Sequence, residues 1–132
     1  MLGAMTTSQI TCNLPKPVSR FLEAVNRLDA DDAIAAFTLD AVVNDIRREF
    51  IGPDAIRAWL DREIIGDHVH FEVLRARCHH GSTILTARTT GTFDKTNLPD
   101  PLDLTFYFTV DEQAITQLLV IANQPTPDWA VS

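Results

Sequence analysis

Cysteine is scarce in this chain of 132 residues, in which only Cys12 and Cys78 occur. Two cysteines do not make a disulfide framework, and neither has another cysteine at metal-ligand spacing. Cys78 lies inside an apolar run with no basic group placed to activate it, so we expect an inert buried thiol there.

Basic residues are also few, with 11 Lys and Arg against 18 Asp and Glu, which gives a net charge of −7 and a pI near 4.8. Such a surface repels phosphates. The basic residues are scattered, and Arg47-Arg48 is their only adjacent pair. We therefore expect neither nucleic acid nor an anionic membrane surface as a partner.

Long apolar runs are absent, so no segment is predicted to span a bilayer. Residues 1–5 lack the pattern of a signal peptide, and a cytoplasmic location is expected. The apolar content of 45% suits a globular chain of about one domain. We predict a loose arm over residues 1–14, one domain over 15–123 and a tail over 124–132. Trp129 in that tail either folds over a pocket mouth, packs on a neighbour or belongs to a disordered end.

The first half of the chain has helical periodicity. Pro15 and Pro17 mark the entrance of a first helix, and Asp29 offers an N-cap for a short second one. A third helix is predicted to start at Gly52-Pro53 and to end at Gly66-Asp67. The apolar positions of the first helix are Val18, Phe21, Leu22, Val25 and Leu28. The stripe of the third helix is Ile56, Trp59, Leu60, Glu63 and Ile64, so one acid interrupts it.

The second half has strand composition, rich in Val, Ile, Thr and Phe. A first strand is also predicted over 41–46, with a short return at Phe50-Ile51 after a turn at Arg47-Arg48. Further strands are predicted over 68–79, 82–93, 102–110 and 114–122, the first two of them joined by a tight hairpin. Helices followed by antiparallel strands predict an α+β domain, with a sheet curled around the helices.

Three blocks of sequence resemble the nuclear transport factor 2-like superfamily, and within it the SnoaL-like group. They are Phe21 to Phe37, Asp40-Ala-Val-Val-Asn-Asp45, and Gly52-Pro-Asp-Ala-Ile-Arg-Ala-Trp59, and the similarity continues through Phe106 to Thr116. The resemblance implies a cone-shaped α+β barrel, with three N-terminal helices packed on a curved sheet and a pocket between them. It also implies a homodimer formed through the sheet. The same scaffold hosts isomerases, cyclases, hydrolases and non-catalytic binding domains, so the fold does not decide the activity.

The resemblance places Asp45 at the position of the general base of the related ketosteroid isomerases. Phe21 and Phe106 stand where those enzymes have a tyrosine and a protonated aspartic acid, and Leu60 replaces a supporting tyrosine. Without those two donors an enolate would lose several kcal/mol of stabilisation, which argues against ketosteroid isomerisation. Arg88 matches the arginine of the limonene epoxide hydrolases, but Thr90 replaces their aspartate.

Two residues are the catalytic candidates. Asp45 is either a pocket base or a strand-end carboxylate bonded to backbone amides or to Arg47 or Arg48. Arg88 either faces the pocket, where it would pair with Asp45 or an anionic substrate group, or lies on the convex face, where it would meet solvent or a dimer interface. Strand register leaves both open. The apolar ligand contacts are predicted to be Phe21, Val43, Trp59, Phe106 and Phe108.

Histidine does not predict a metal site. His68, His70 and Glu72 alternate along a strand, but Val69 and Phe71 claim its buried face, so the three are expected to face solvent or a partner subunit. His79 and His80 at a hairpin tip are expected to be exposed. Neither a metal nor an organic cofactor is predicted.

Two functions remain open from the sequence. The first is a cofactor-independent isomerase, cyclase or hydrolase acting on a small apolar molecule, with Asp45 as base and Arg88 as orienting group. The second is a non-catalytic ligand-binding or dimerisation module in which Asp45 is structural. They differ in whether Asp45 lies on the wall of a cavity and keeps free acceptor capacity.

Overall fold

The computed structural model describes residues 13–111 and 113–122, in which helices precede most of the strands. The helical elements are α1 (Lys16–Asn26), α2 (Ala30–Ile34), α3 (Gly52–Trp59) and a π-helix (Leu60–Ile65). The strands are β1 (Phe37–Asp45), β2 (Arg48–Ile51), β3 (His70–His79), β4 (Ser82–Thr90), β5 (Asp103–Val110) and β6 (Ile115–Ala122). The α+β class is confirmed. The predictions for Trp129, for the tail and for most of the N-terminal arm lie outside the described residues.

One six-stranded sheet has the order β2-β1-β6-β5-β4-β3. Neighbouring strands are antiparallel except for the parallel pair of β1 and β6. The edge strands β2 and β3 do not pair with each other, so the described sheet is open and a closed barrel is not confirmed. No helix within residues 13–111 and 113–122 is long and apolar enough to cross a membrane.

The core lies between the helices and one face of the sheet. Phe106 and Phe108 on β5 are each 1% exposed, whereas Tyr107 between them is 37% exposed, so Tyr107 points to the other face of the sheet. From α1, the Phe21 ring packs edge-on against Phe37 and Phe108, with ring centroids 5.4 and 5.9 Å apart. The alternation along the strands therefore separates a core face from an outer face.

The helix boundaries follow the predicted signals with one exception. Asp29 caps α2 as expected, because its Oδ1 accepts a hydrogen bond of 3.0 Å from the Asp32 amide. Leu28 was predicted on the buried stripe of α1, but it is 41% exposed and has a φ of 60°. It occupies the left-handed position of a Schellman ending, in which the Asp29 amide reaches back to the Ala24 carbonyl. The prediction for Leu28 is wrong because the helix ends before it.

Several strand boundaries differ from the prediction, and β4 ends at Thr90 rather than at residue 93. β1 begins at Phe37 rather than Ala41, because Phe37 pairs with Ile115 before an irregular register. β2 begins at Arg48, so the turn between β1 and β2 lies one residue earlier than expected. The hairpin between β3 and β4 is confirmed at its predicted place.

Candidate functional site

The β1–β2 hairpin brings Asp45 and Arg48 to one end of the sheet. The register pairs Asp45 with Arg48 and leaves Ile46 and Arg47 as a two-residue turn, with φ values of 49° and 72°. Positive φ at both central positions is the type I′ arrangement, which suits the twist of a hairpin and usually carries Asn-Gly. The Asn44 side chain supports the turn by accepting a 3.0 Å hydrogen bond from the Arg47 amide.

The π-helix and the residues beside it form a second wall of the candidate site. The π-helix continues α3 directly, and its wider turn is a form that occurs often at functional sites. Trp59, Glu63, Ile64 and Asp67, from this segment and the residues beside it, all line one cavity. The segment ends at Gly66, where a Cβ atom would lie 2.6 Å from two backbone carbonyl oxygens, so only glycine fits. The predicted end at Gly66-Asp67 is confirmed, whereas the π geometry was not predicted.

A cavity of about 310 Å³ lies between this helix, the end of the sheet and the loop after β4. Most of its wall is apolar, and the rings of Trp59, Phe71, Phe93 and Phe106 contribute to it. Pockets of this composition usually fix a ligand with a few polar groups. The polar residues of this wall are Asp45, Arg48, Glu63, Asp67, Thr89 and Asp94.

Asp45 is an enclosed carboxylate of the cavity, with a side chain 15% exposed. Its Oδ2 atom accepts hydrogen bonds from Trp59 Nε1 at 2.9 Å and from Arg48 Nη2 at 3.1 Å. No donor among residues 13–111 and 113–122 reaches Oδ1. Burial raises the pKa of Asp45 more than the Trp59 hydrogen bond and the Arg48 charge lower it. Asp45 thus keeps one acceptor atom free and holds a proton more readily than an ordinary aspartate.

Arg48 is held chiefly by Glu63. Its Nη1 donates to Glu63 Oε2 at 2.9 Å, and its Nη2 donates to Glu63 Oε1. The hydrogen bond to Glu63 is the main reason why the pKa of Arg48 is raised above its ordinary value. The guanidinium also lies 5.7 Å from the centre of the Phe50 ring. Arg48 is therefore already paired in the absence of any ligand.

The five predicted ligand contacts fall into two groups. Trp59 and Phe106 line the cavity. Phe21, Val43 and Phe108 do not line it and lie in the core, where each is at most 1% exposed. Residues that the sequence pattern predicts to be equivalent therefore take two different positions, some in the core and others on the cavity wall.

Arg88 is not brought to Asp45. Its Nε and Nη2 atoms donate to the two carboxylate oxygens of Asp103 at 2.9 and 3.1 Å. Its neighbours Ala87 and Thr89 are buried, so Arg88 lies on the outward side of β4. It lines a second cavity of about 270 Å³, together with Lys95, and not the cavity of Asp45.

Other predicted groups are placed away from the Asp45 cavity. His68, His70 and Glu72 are exposed while Val69 and Phe71 are buried, which confirms the predicted facing of this segment. Cys78 is disulfide-bonded, so the prediction of an inert buried thiol there is wrong. Within the described residues, no group of three His, Cys, Asp or Glu side chains is arranged to hold a metal ion.

Glu63 is one of the site residues that were not predicted from the sequence. The available signal was its position as the single acid on the apolar stripe of the third helix, where a charge is expected to have a partner. Its partner comes from β2, so the pairing depends on a tertiary contact across 15 residues.

The chain resembles known proteins over most of its length. The model of the SnoaL-like domain matches residues 18–118. A Sinorhizobium meliloti protein, proposed to be a polyketide cyclase, is 26% identical with a TM-score of 0.73, over 82% of this chain and 95% of that one. No curated protein matches the sequence significantly.

Two further solved structures share the fold at lower identity. A Catenulispora acidiphila protein with a ketosteroid isomerase-like fold is 18% identical, with a TM-score of 0.68 over 83% of this chain and 86% of that one. The epoxide hydrolase/cyclase-like enzyme SalBIII, which has a role in pyran ring formation in salinomycin, is also 18% identical. Its TM-score is 0.68, over 83% of this chain and 89% of that one. From the family match over residues 18–118, the chain belongs to the SnoaL-like domain family, with the nuclear transport factor 2-like fold.

Proposed function

We propose that this SnoaL-like protein binds a small apolar molecule in the 310 Å³ cavity, where Asp45 acts as a general base. The observation that carries the proposal is the free Oδ1 of an enclosed carboxylate on an apolar wall. A base needs acceptor capacity within reach of a substrate proton, and its efficiency rises as its pKa approaches the working pH. The raised pKa of Asp45 moves it in that direction.

Ring closure on an epoxide-bearing substrate is the reaction class we favour within the proposal: Asp45 takes the proton of a substrate hydroxyl, the hydroxyl oxygen bonds to an epoxide carbon, and the C–O bond of the epoxide breaks as its oxygen takes up a proton. Phe21 and Phe106 are apolar and buried, so they supply no donor for an enolate oxygen. The similarity to the Sinorhizobium protein and to SalBIII supports ring formation over ketosteroid isomerisation. The proposed reaction uses no metal or organic cofactor.

Non-catalytic ligand binding is the second candidate, and the Trp59–Asp45 hydrogen bond is the observation that favours it. This bond ties the end of α3 to the end of β1, which is a sufficient structural reason for a carboxylate at position 45. In this case the cavity would hold a ligand without changing it.

The experiment is an amide-resolved NMR titration with a panel of uncharged cyclic ketones, hydroxy-ketones and epoxides, followed by product analysis. The proposal predicts shifts at residues of the cavity wall and turnover that is lost in Asp45→Asn. Asp103→Asn is the matched control, because it removes an acid outside this cavity. Binding without turnover, equal in wild type and Asp45→Asn, would favour the binding module. Shifts elsewhere, or none, would contradict both candidates.

The quaternary and cellular context also belongs to the proposal. We propose a homodimer through the outer face of the sheet, where Tyr107 and Ile121 are 37% and 41% exposed. A cone-like curvature of the sheet completes this description. The disulfide at Cys78 argues against the expected cytoplasmic location, because disulfides are rare in reducing compartments.

A further inference from the structure

Arg48 stands between two carboxylates and divides its hydrogen bonds unequally between them. Glu63 receives bonds from both terminal nitrogens, whereas Asp45 receives one bond of 3.1 Å from Nη2. A two-point contact between guanidinium and carboxylate is stronger and more directional than a single bond. Glu63 is therefore the principal partner of Arg48.

The three side chains also differ in exposure. Asp45 is 15% exposed, Glu63 35% and Arg48 53%, so the guanidinium sits at the rim and Asp45 lies deeper. A cation at the rim has room to move, and the partner that holds it there decides how far it reaches toward the interior. In this structure that partner is Glu63.

We propose that Glu63 is a positioning residue that acts through Arg48. By occupying both terminal nitrogens of the guanidinium, it keeps Arg48 from forming a two-point pair with Asp45, and so leaves the Asp45 Oδ1 open to a ligand. This inference rests on the proposed function, in which Asp45 is the base, and it assigns the control of that base to Glu63. Glu63 itself touches no reacting atom in this scheme.

The other charged residues that line the cavity come from four different segments. Arg48 comes from β2, Glu63 from the π-helix, Asp67 from the segment after it and Asp94 from the loop after β4. Among these lining residues of the described chain, Arg48 is the single cation. Asp67 forms no ion pair with any described residue, and it is not among the groups that shift the pKa of Asp45.

The test is a titration of the Asp45 carboxyl carbon by ¹³C NMR, with Asp45→Asn used to assign the signal. Glu63→Gln should lower the pKa of Asp45, because the released Arg48 turns to the remaining carboxylate. Glu63→Asp should lower it too, since the shorter side chain weakens the two-point grip while keeping the negative charge. Asp67→Asn is the matched control, which removes a cavity charge but no partner of Arg48, and its effect should be smaller.

The same titration in an Arg48→Met background isolates the route of the effect, as a double-mutant cycle does. There, Glu63→Gln should change the pKa of Asp45 much less than in the wild type. An equal lowering in that background, an Asp67→Asn effect as large as that of Glu63→Gln, or no change in either Glu63 variant would overturn the proposal. The titration uses no ligand, so its result is independent of whether the cavity binds or converts one.

Discussion

The indole Nε1 of Trp59 donates a 2.9 Å hydrogen bond to Oδ2 of Asp45, and this contact joins the last residue of α3 to the last residue of β1. The bond belongs both to the fold and to the candidate site. It fixes the carboxylate in one orientation and leaves Oδ1 to the cavity. Measurements of stability and of binding in variants of Trp59 and Asp45 should therefore distinguish the role of this hydrogen bond in the fold from its role in the site.

Trp59→Phe removes the donor and keeps most of the ring. We expect the free energy of unfolding to fall by about 1.5–3 kcal/mol, the usual range for a hydrogen bond to a charged group. Urea unfolding followed by circular dichroism measures this loss. In an Asp45→Ala background the same substitution should cost clearly less, and an equal cost there would show that the ring, not the hydrogen bond, carries the effect.

The pH dependence of stability should carry the signature of Asp45. Its pKa in the folded state is raised above 3.8, so folding favours the protonated form. The contribution of Asp45 to stability is therefore complete below the unfolded-state pKa and is lost as the pH rises through the folded-state pKa. Asp45→Asn stays neutral, so its stability relative to wild type should increase over that interval.

Urea midpoints of both proteins at several pH values between 4 and 7 measure this difference. Asp32 and Asp103 have lowered pKa values because of their arginine partners, so they act in the opposite sense. They are common to both proteins and cancel in the comparison. A difference that is flat, or that falls as the pH rises, would contradict the raised pKa of Asp45.

The sequence predicted the class of fold well because most of its signals are local. Helical spacing, the Asp29 cap and the breaks at Gly52 and Gly66 each depend on a few adjacent residues. The early start of β1 at Phe37 was missed because its partner Ile115 is far away in the chain. Strand pairing of this kind has little local signature.

Of the residues predicted for the site, only Asp45, Trp59 and Phe106 line the cavity. The others were misplaced because cavity position depends on contacts between residues far apart in the chain. Phe106 and Phe108 have the same residue type and face the same side of β5, yet only Phe106 reaches the cavity. Which of them lies at the open end depends on how the helices cover the sheet. Alternation along a strand decides which face a residue takes and does not decide its depth.

Arg88→Met should leave ligand binding in the Asp45 cavity unchanged, since Arg88 faces outward and pairs with Asp103. The substitution should instead change the stability of the fold, and that change should depend on pH in the acid range. Arg88 lowers the pKa of Asp103, so the pair stabilises the fold above the unfolded-state pKa of that carboxyl and loses this effect as the pH falls through the folded-state value. The stability difference between wild type and Arg88→Met should therefore shrink on acidification.

Binding of the same panel of cyclic ketones to Arg88→Met checks that the cavity is unaffected. Urea unfolding between about pH 3 and 7, roughly the range in which carboxylates titrate, checks the change in stability. Loss of binding with unchanged acid stability would return Arg88 to the catalytic set.

The Ile46-Arg47 turn should be strained, because left-handed backbone costs an ordinary residue about 1–2 kcal/mol and is least tolerated by a β-branched one. Replacing the pair by Asn-Gly should raise the free energy of unfolding by about 1 kcal/mol, after some apolar contact of the 44% exposed Ile46 is lost. The His80-Gly81 turn is the matched control, since it already has glycine at its second position and a φ of 45° at His80. His80→Asn should therefore gain less.

Urea unfolding of the Asn-Gly variant and of His80→Asn measures both gains, and a destabilised Asn-Gly variant would contradict the strain.

Strained backbone is often retained where it serves a site. Ile46 lines the Asp45 cavity, and its turn holds Asp45 opposite Arg48. The stabilised variant should therefore bind the cyclic ketones more weakly than wild type, because the cavity loses an apolar side chain. Stronger or equal binding would show that the strain at Ile46 has no connection with the cavity.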